Sequence, residues 1–492
     1  MNNLKFHLIS LGCPKNQVDS EDMFTILKKE GLIFNPEISG SDICIVNTCG
    51  FLEKARKESI DVIVETINYK LNGDIKHIIV TGCMVNNYKD SLIKELPEVD
   101  YFLSTFDESA IADIAKNKLD VFAHIDDNND NKNKNNLNNS REINFSGNLN
   151  KNVNKNKNKN KLTGKEFINK GDLDLIEREH FNLKRTAYLK ISEGCGRQCS
   201  FCIIPSIRGQ YKSKSVEDLK KEALYLSENG VKELILISQD TSYYGVDNNI
   251  KDGLYILLKE LIKVKKIKWI RLMYLYPALI TDNLISLIKG EEKILKYIDM
   301  PVQHISDNVL KLMKRSTDKR TVLGLIEKFK VEIPNIALRT SLIAGFPGET
   351  EDDFSELLSF IKETKFDNLG VFKYSDEREA ASFKLDNKIN AKLKNERYKA
   401  LMQLQNSLLP EIFSKYIGKN YDVVIDNENN GSNIIKARTY FQAPDVDGYT
   451  YIYLENNSGK DIDIIGKTDF LQVKITKQKN YDLYGVIYNN RL

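Results

Sequence analysis

Apolar residues in the first 125 positions occur in short runs that alternate with longer stretches of mixed polarity. The runs KFHLISLGC, SDICIVNTCG and KHIIVTGC are typical of buried strands. The stretches QVDSEDMFTILKKEG and FLEKARKESIDVIVETINYK have the spacing of helices. Because strands that alternate with helices favour a parallel sheet, the sequence predicts a parallel α/β domain at residues 1–124.

The same alternation resumes further along and runs longer. Strand-like runs separated by helices such as VEDLKKEALYLSENG indicate an incomplete, TIM-like (β/α)6 barrel at residues 173–413, with its active site at the carboxyl ends of the strands. The runs are AYLKISEGC, VKELILISQD, KWIRLMYLY, LKYIDMPVQH, IALRTSLIAGF and NLGVFKYS. Beyond them, five short strands with Gly, Asn and Asp between them predict a small antiparallel β-barrel at residues 414–492.

Between the first two domains the composition changes abruptly. Residues 126–170 are rich in Asn and Lys, and positions 150–161 contain only these two residues apart from Val153. Such a segment cannot bury apolar surface, so we predict a disordered linker or insertion at 125–172. Contact of this basic run with RNA is the alternative.

Bulk composition limits the class of protein. The net charge of +3 is too small to mark the whole chain as a nucleic-acid binder. No apolar run is long enough to span a membrane, and the N-terminus lacks the pattern of a signal peptide, so a cytoplasmic protein without a membrane partner is expected. In a reducing compartment, clustered cysteines serve metal binding or catalysis more often than disulfides.

Three of the seven cysteines lie in one stretch, ISEGCGRQCSFCIIP, directly after the first strand of the second domain. They are Cys195, Cys199 and Cys202. Structural zinc is an alternative, but it needs four closed ligands, and no second CxxC pair or nearby His supplies the fourth. The spacing suits a loop around one face of a cubic iron–sulfur cluster, which leaves one iron open to a substrate or cofactor.

Three further cysteines end the three apolar strands of the first domain. Cys13, Cys49 and Cys83 close LISLGC, CIVNTC and IIVTGC. Because the carboxyl ends of adjacent parallel strands share one edge of a sheet, these thiols are expected to lie together and form a second cluster site. Three independent buried cysteines are the alternative. Cys44 lies inside a strand and is assigned to the core.

The segment CGRQCSFC resembles the CxxxCxxC signature of the radical S-adenosylmethionine (SAM) enzymes. The resemblance implies that SAM chelates the open iron and yields a 5'-deoxyadenosyl radical. In SLIAGFPGET, the residues Gly345, Pro347 and Gly348 resemble the family's glycine-rich segment near the adenosine of SAM. Phe201 resembles the aromatic residue that packs on adenine, although it could simply pack the loop.

Two cysteine triads followed by a small β-barrel resemble the methylthiotransferases, a family with a cluster-bearing N-terminal domain, a radical SAM core and a C-terminal TRAM domain. The segments SLGCPKNQVDSE, QDTSYYGVD, MPVQHISDNVLKLMKR and QAPDVDG are similar to the branch that modifies an aspartate of ribosomal protein S12. The resemblance implies two 4Fe–4S clusters and two SAM molecules for each product. One SAM methylates a sulfur at the first triad, and the other supplies the radical at the second, so both clusters must face one cavity.

Charge in the C-terminal domain is a separate clue to the substrate. Residues 418–492 contain ten acidic and nine basic residues, with the acids gathered in DNE, DVD and DID. A barrel for RNA should carry a basic face, whereas an acidic patch suits a basic ribosomal protein. The sequence therefore favours a protein substrate.

Other assignments remain open from the residues alone. Gln239, Asp240 and Arg339 could contact SAM or substrate, but a polar residue at a strand end is as often a cap or an ion-pair partner. A monomer with flavodoxin or ferredoxin as electron donor is expected, and the sulfur donor is unknown. The alternative functions are methylthiolation of a tRNA adenosine derivative and a non-catalytic iron–sulfur or RNA-binding scaffold.

Overall fold

The computed structural model describes residues 4–118, 177–181, 185–426, 433–454 and 468–488. The predicted linker at 125–172 lies outside the described residues. The chain divides into two compact units, of which the first comprises Met1–Glu179 with Ser206–Arg208 and the second comprises His180–Pro205 with Gly209–Leu492. Where the structure is described, no helix combines the length and the apolar character needed to cross a membrane.

The first unit contains a five-stranded parallel sheet flanked by helices. Its strands are β1 (Lys5–Ser10), β2 (Ile33–Phe34), β3 (Ile43–Thr48), β4 (His77–Gly82) and β5 (Tyr101–Leu103), in the order β2-β1-β3-β4-β5. Its helices are α1 (Pro14–Lys29), α2 (Glu53–Leu71), α3 (Cys83–Glu95) and the short α4 (Ile111–Asp113). All six residues of β3 are buried because helices cover both faces of a parallel sheet.

The second unit begins with parallel strands that alternate with helices. Its strands are β6 (Thr186–Lys190), β7 (Ser192–Glu193), β8 (Lys212–Ser213), β9 (Glu233–Ile237), β10 (Trp269–Leu272), β11 (Tyr297–Asp299), β12 (Ala337–Ala344) and β13 (Asn368–Lys373). Its helices are α5 (Ile204–Arg208), α6 (Val216–Glu228), α7 (Gly253–Leu261), α8 (Asp282–Gly290), α9 (Asp307–Leu312), α10 (Lys319–Glu332), α11 (Glu351–Thr364) and α12 (Ala391–Ser414). The last three residues of α5, Ser206–Arg208, belong to the first unit.

These strands form two parallel sheets that a bridge connects. The orders are β10-β9-β6 and β11-β12-β13, and a parallel bridge between Ile270 and Ile294 leads from one to the other. The strands β7 and β8 form a separate antiparallel ribbon next to the loop that carries the cysteines. One hydrophobic core runs beneath the whole array, with fully buried residues such as Leu236 and Leu342. This confirms the predicted incomplete barrel.

The C-terminal strands close a five-stranded barrel, as predicted. They are β14 (Asn420–Ile425), β15 (Ile434–Arg438), β16 (Thr450–Tyr453), β17 (Phe470–Lys479) and β18 (Asp482–Ile487), in the order β14-β15-β16-β18-β17. Four of the pairings are antiparallel, whereas β16 and β18 pair in parallel and close the barrel. The multidomain α/β fold class with a small C-terminal barrel is therefore confirmed.

Two acids that were assigned to an acidic surface are buried instead. Asp426 accepts from Arg438 at 2.7 Å, and the side chain of Asp447 is fully buried beside Arg339, 3.2 Å away. A buried carboxylate needs a paired cation, so these two acids are ion-pair partners in the interior. The prediction of an acidic face is wrong for both residues, while Asp445 is exposed and the DID segment lies outside the described residues.

Candidate functional site

The first cysteine triad lies at one edge of the N-terminal sheet. Cys13 follows β1 and precedes α1, Cys49 directly follows β3, and Cys83 begins α3 directly after β4. The strands β1, β3 and β4 are neighbours in the sheet, in that order. The structure therefore brings together three thiols that are far apart in sequence.

The three loops that carry these cysteines touch one another. A Cβ atom at Gly12 would lie 2.6 Å from Cβ of Cys49, and one at Gly50 would lie 2.9 Å from the carbonyl carbon of Cys83. Neither position has room for a side chain. A signal of this close approach is present in the sequence, because each cysteine has a glycine beside it, in LGC, TCG and TGC.

Burial and neighbouring charges determine the protonation of this triad. Burial raises the pKa of Cys83 to about 12 and also raises the pKa of Cys49, while the guanidinium of Arg208 lowers both. Each of these two thiols is further disfavoured as an anion by Cys13. Because only the thiolate binds metal, loading of the triad must release protons to solvent.

Two polar residues that were not predicted to belong to the site complete the surroundings of Cys83. Arg208 Nε lies 3.3 Å from the sulfur of Cys83, and the sulfur lies 3.4 Å from Oδ1 of the fully buried Asn16. Arg208 is 125 residues from Cys83 in sequence, so no local pattern could reveal the contact. Asn16 belongs to the quoted segment SLGCPKNQVDSE, in which no role was assigned to Asn16 itself.

The second triad lies in the loop after β7. Backbone amides point at two of its sulfurs, from Arg197 to Cys195 at 3.5 Å and from Ile204 to Cys202 at 3.4 Å. Burial raises the pKa of Cys195 and raises that of Cys202 to about 12. Backbone donors of this kind stabilise the thiolate form without adding a side chain to the cavity.

Two arginines near the second triad both pack on one aromatic ring. The guanidinium carbons of Arg197 and Arg315 are each 4.0 Å from the ring centroid of Tyr276. Nη1 of Arg315 lies 3.6 Å from the sulfur of Cys199. Neither arginine was assigned a role from the sequence, because Arg197 and Arg315 meet at Tyr276 only through loops that follow different strands.

Gln239 and Asp240 follow β9, as predicted, and differ in their surroundings. Asp240 accepts from Arg197 Nε at 2.7 Å and from Ser242, so it serves as an ion-pair partner within the loop. The buried Oε1 atom of Gln239 has no hydrogen-bond partner among the described residues. An unpaired buried acceptor is a candidate contact for a ligand donor.

The glycine-rich segment follows β12 and is fixed by Glu349. The backbone N–H of Gly345 donates to Oε2 of Glu349 at 2.9 Å, and Arg397 holds the other oxygen at 2.6 Å. Both Gly345 and Gly348 have positive φ, and Pro347 lies between them. The backbone N–H of Gly345 therefore makes its hydrogen bond within the segment itself.

Phe201 and Arg339 both contact other side chains of the second unit. The ring of Phe201 packs edge-on against Phe346, with centroids 6.5 Å apart. Arg339 forms ion pairs with Asp299 at 2.7 Å and with Asp447 at 3.2 Å. Contact of either residue with SAM stays a prediction.

The donor sets fit iron–sulfur clusters. Within the described ranges, no group of three or more His, Cys, Asp or Glu side chains is arranged to hold a single metal ion. A 4Fe–4S cluster makes a different demand, because each of its irons takes one thiolate. Each triad offers three soft thiol donors of the type that iron–sulfur clusters use.

Family models match three parts of the chain. The Radical SAM superfamily matches residues 189–361, the uncharacterized protein family UPF0004 matches residues 5–104, and the TRAM domain matches residues 417–487. A solved radical SAM methyltransferase, TsrM from Kitasatospora setae, aligns with a TM-score of 0.50 over 75% of this chain and 73% of that chain. Since the two are 11% identical, this likeness shows the fold alone.

Much closer relatives span the whole chain. Proteins named "Ribosomal protein uS12 methylthiotransferase RimO" are 40% identical in Clostridium botulinum (strain Eklund 17B / Type B) and 41% identical in Clostridium perfringens (strain SM101 / Type A), with 99% of each chain covered. The relative of the same name in Clostridioides difficile (strain 630) is 40% identical, also over 99% of each chain.

Fold and cysteine site together define a radical SAM methylthiotransferase, an enzyme whose cofactors are 4Fe–4S clusters and SAM. The full-length matches then specify the branch. The chain belongs to the ribosomal protein uS12 methylthiotransferase family.

Proposed function

We propose that this enzyme replaces a hydrogen on the β-carbon of an aspartate in ribosomal protein uS12 with a methylthio group. The observation that carries the proposal is the convergence of Cys13, Cys49 and Cys83 at one sheet edge, in a chain that also has a CxxxCxxC loop. The printed names of the full-length relatives support uS12 as the substrate.

Each triad has its own task in this proposal. Cys13, Cys49 and Cys83 hold the first 4Fe–4S cluster, and Cys195, Cys199 and Cys202 hold the second. When bound, the second cluster and SAM supply a 5'-deoxyadenosyl radical, and the first cluster supplies the methylthio group. The hydrogen leaves in 5'-deoxyadenosine, and the methyl group comes from a second SAM.

Residues of the chain position these groups. The ion pair between Arg197 and Asp240 fixes the loop that carries the second triad against the end of β9. The unpaired Oε1 of Gln239 is available to accept a hydrogen bond from SAM. The adenosine lies against the backbone turn at Gly345 and Gly348, with Phe201 at its side.

Several conditions of the reaction are also proposed. The enzyme acts as a cytoplasmic monomer, and its electron donor is a flavodoxin or ferredoxin. A one-electron donor is required because reductive cleavage of SAM consumes one electron. Transfer of the methylthio group requires that the target aspartate reach both triads.

The substrate is tested with full-length reconstituted enzyme, SAM and a reductant. Purified uS12 and purified tRNA are incubated in separate reactions and analysed by mass spectrometry. We expect uS12 to gain the mass of one methylthio group less one hydrogen, and peptide fragmentation to place it on an aspartate. Modification of the tRNA alone would contradict the proposal.

A parallel measurement tests whether the second triad is needed to form the radical. A non-catalytic scaffold releases no 5'-deoxyadenosine when SAM and reductant are added. The expected result is release of 5'-deoxyadenosine that depends on Cys195, Cys199 and Cys202. A triple Ala variant at these positions is the control.

A further inference from the structure

The guanidinium of Arg208 lies against one ligand sulfur of the first triad. Its Nε atom is 3.3 Å from Sγ of Cys83, and the side chain of Arg208 is only 2% exposed. Cys83 itself is 6% exposed. A permanent cation with an N–H aimed at the sulfur is therefore buried at this position, since arginine keeps its charge in proteins.

The other two nitrogens of the guanidinium are also engaged. Nη1 lies 2.8 Å from Oδ2 of Asp19, whose side chain is 2% exposed, and Nη2 donates to Oδ1 of Asn16. Asn16 is fixed in turn, because its Nδ2 donates to the carbonyl oxygens of Leu11 at 3.0 Å and Thr48 at 2.8 Å. The direction of the Nε–H bond is thus set by two side chains of α1.

This arrangement differs from that at the second triad. There, Cys195 and Cys202 accept from backbone amides at 3.5 and 3.4 Å, and the nearest guanidinium nitrogen is 3.6 Å from Cys199. Hydrogen bonds to ligand sulfurs and nearby cations stabilise the more negative, reduced form of a cluster. The buried charge at Cys83 is therefore expected to act on redox behaviour.

We infer that Arg208 is a positioning residue of the first cluster, which donates its Nε–H to the ligand sulfur of Cys83 and raises the reduction potential of that cluster. The inference rests on the proposed binding of this cluster by Cys13, Cys49 and Cys83.

A higher potential has a role in the proposed reaction. Formation of a C–S bond from a carbon radical and a methylthio anion releases one electron. A higher potential makes the first cluster a better acceptor for that electron.

The experiment uses the full-length chain with Cys195, Cys199 and Cys202 replaced by Ala, so that only the first cluster is titrated. Arg208→Gln is introduced into this background, and the potential is measured by electron paramagnetic resonance during a redox titration. We expect the equilibrium constant for one-electron reduction to fall about tenfold, which is about 59 mV toward negative potential. An unchanged potential at unchanged iron content would overturn the inference.

A conservative variant covers the case in which Arg208→Gln holds no iron. Arg208→Lys keeps the charge and a donor, and restored iron binding in this variant supports the inference. Loss of iron from both variants would overturn it, because the residue would then be needed for the fold. Absence of iron from the unmutated background chain would overturn the cluster assignment as well.

Arg178 provides a matched control in the same unit. Its side chain is fully buried and pairs with Glu21 and Asp22, on the same helix as Asp19. Arg178→Gln therefore removes a buried guanidinium that is bound to carboxylates. It should leave the potential unchanged, and a shift equal to that of Arg208→Gln would overturn the inference.

Discussion

Arg339 on β12 and Asp447, in the loop that precedes β16, form an ion pair in which the carboxylate is fully buried. Nε of Arg339 lies 3.2 Å from Oδ1 of Asp447, and Tyr297 donates to the other oxygen at 2.7 Å. Arg339 also reaches Asp299 at 2.7 Å. The C-terminal barrel is thereby tied to the interior of the parallel strands by a charged contact.

Removal of this carboxylate should destabilise the second unit strongly. Asp447→Ala leaves Arg339 with one carboxylate instead of two, and we expect the free energy of unfolding to fall by about 3 to 5 kcal/mol. Urea unfolding can be followed by the fluorescence of Trp269, the single tryptophan, which packs against Phe470.

The control variant is Asp282→Ala, which breaks the exposed ion pair with Lys328 and should lower the free energy of unfolding by less than about 1 kcal/mol. Equal losses in the two variants would contradict the prediction.

The unpaired acceptor of Gln239 predicts an effect on SAM without an effect on stability. Gln239→Leu removes no hydrogen bond within the described chain, so the free energy of unfolding should not fall. The KM for SAM should rise about tenfold if one hydrogen bond to the ligand is lost. Gln405 is the matched control, since its Nε2 donates to Phe366 at 2.8 Å and it is fully buried. Gln405→Leu should cost about 1 kcal/mol and leave the KM unchanged.

Two glycines should respond to alanine with opposite signs. Gly345 has φ of +75°, and a Cβ atom there would lie 2.2 Å from Cγ of Lys394. Gly345→Ala should lower the free energy of unfolding by about 1 to 2 kcal/mol and weaken SAM binding, which calorimetry can measure. Gly324 lies inside α10 with nothing within 4 Å, so Gly324→Ala should stabilise by about 0.5 to 1 kcal/mol. Destabilisation by both variants would argue against a special backbone requirement at Gly345.

Asp353 predicts a dependence of stability on pH. Burial raises its pKa, but hydrogen bonds outweigh burial and lower the pKa to about 2 from 3.8. The donors are Ser306, Asn308 and Thr350. Because the folded-state pKa is depressed, the stabilisation is complete above about pH 4 and is lost as pH falls toward 2.

The variant Asp353→Asn tests this dependence. At pH 7 it should lower the free energy of unfolding by about 1 to 2 kcal/mol, and the difference from the wild type should shrink between pH 4 and pH 2. Thermal unfolding at several pH values measures this difference. A difference that stays constant over that range would show that the charge of Asp353 does not contribute.

The two triads predict separable losses. Replacement of Cys13, Cys49 and Cys83 by Ala should halve the iron content, abolish methylthiolation of uS12 and leave the formation of 5'-deoxyadenosine intact. Cys44→Ala is the control, since this thiol lies in β3 of the same sheet, fully buried in the core. It should retain both clusters. Methylthiolation by the triple variant would refute the division of tasks.

The strands that carry the cysteines could be predicted because each is a run of buried apolar residues with a turn at its end. The strands β2 and β5 could not, since two and three residues are too few to form a pattern. The parallel pair of β16 and β18 that closes the barrel was missed as well, because local turns indicate only antiparallel neighbours. Local sequence therefore predicts where the strands lie along the chain better than it predicts which strands pair to close the barrel.

The polar contacts were harder to predict than the ligands. Each triad shows its chemistry through residue type and spacing, whereas Arg208 and Arg315 reach their sulfurs from 125 and 116 residues away. Asp447 was read as a surface acid because composition does not distinguish a solvated carboxylate from one paired in the interior. Contacts between distant residues of this kind became visible only in the folded chain.

The contact between Arg208 and Cys83 has a consequence for the order of events during synthesis. All three cysteines of the first triad have emerged once residue 83 has left the ribosome, but the guanidinium beside them follows 125 residues later. At ordinary rates of translation this interval lasts about 6 to 25 s. For that time the first triad lacks the guanidinium of Arg208, so the site is completed only after the CxxxCxxC loop has been made.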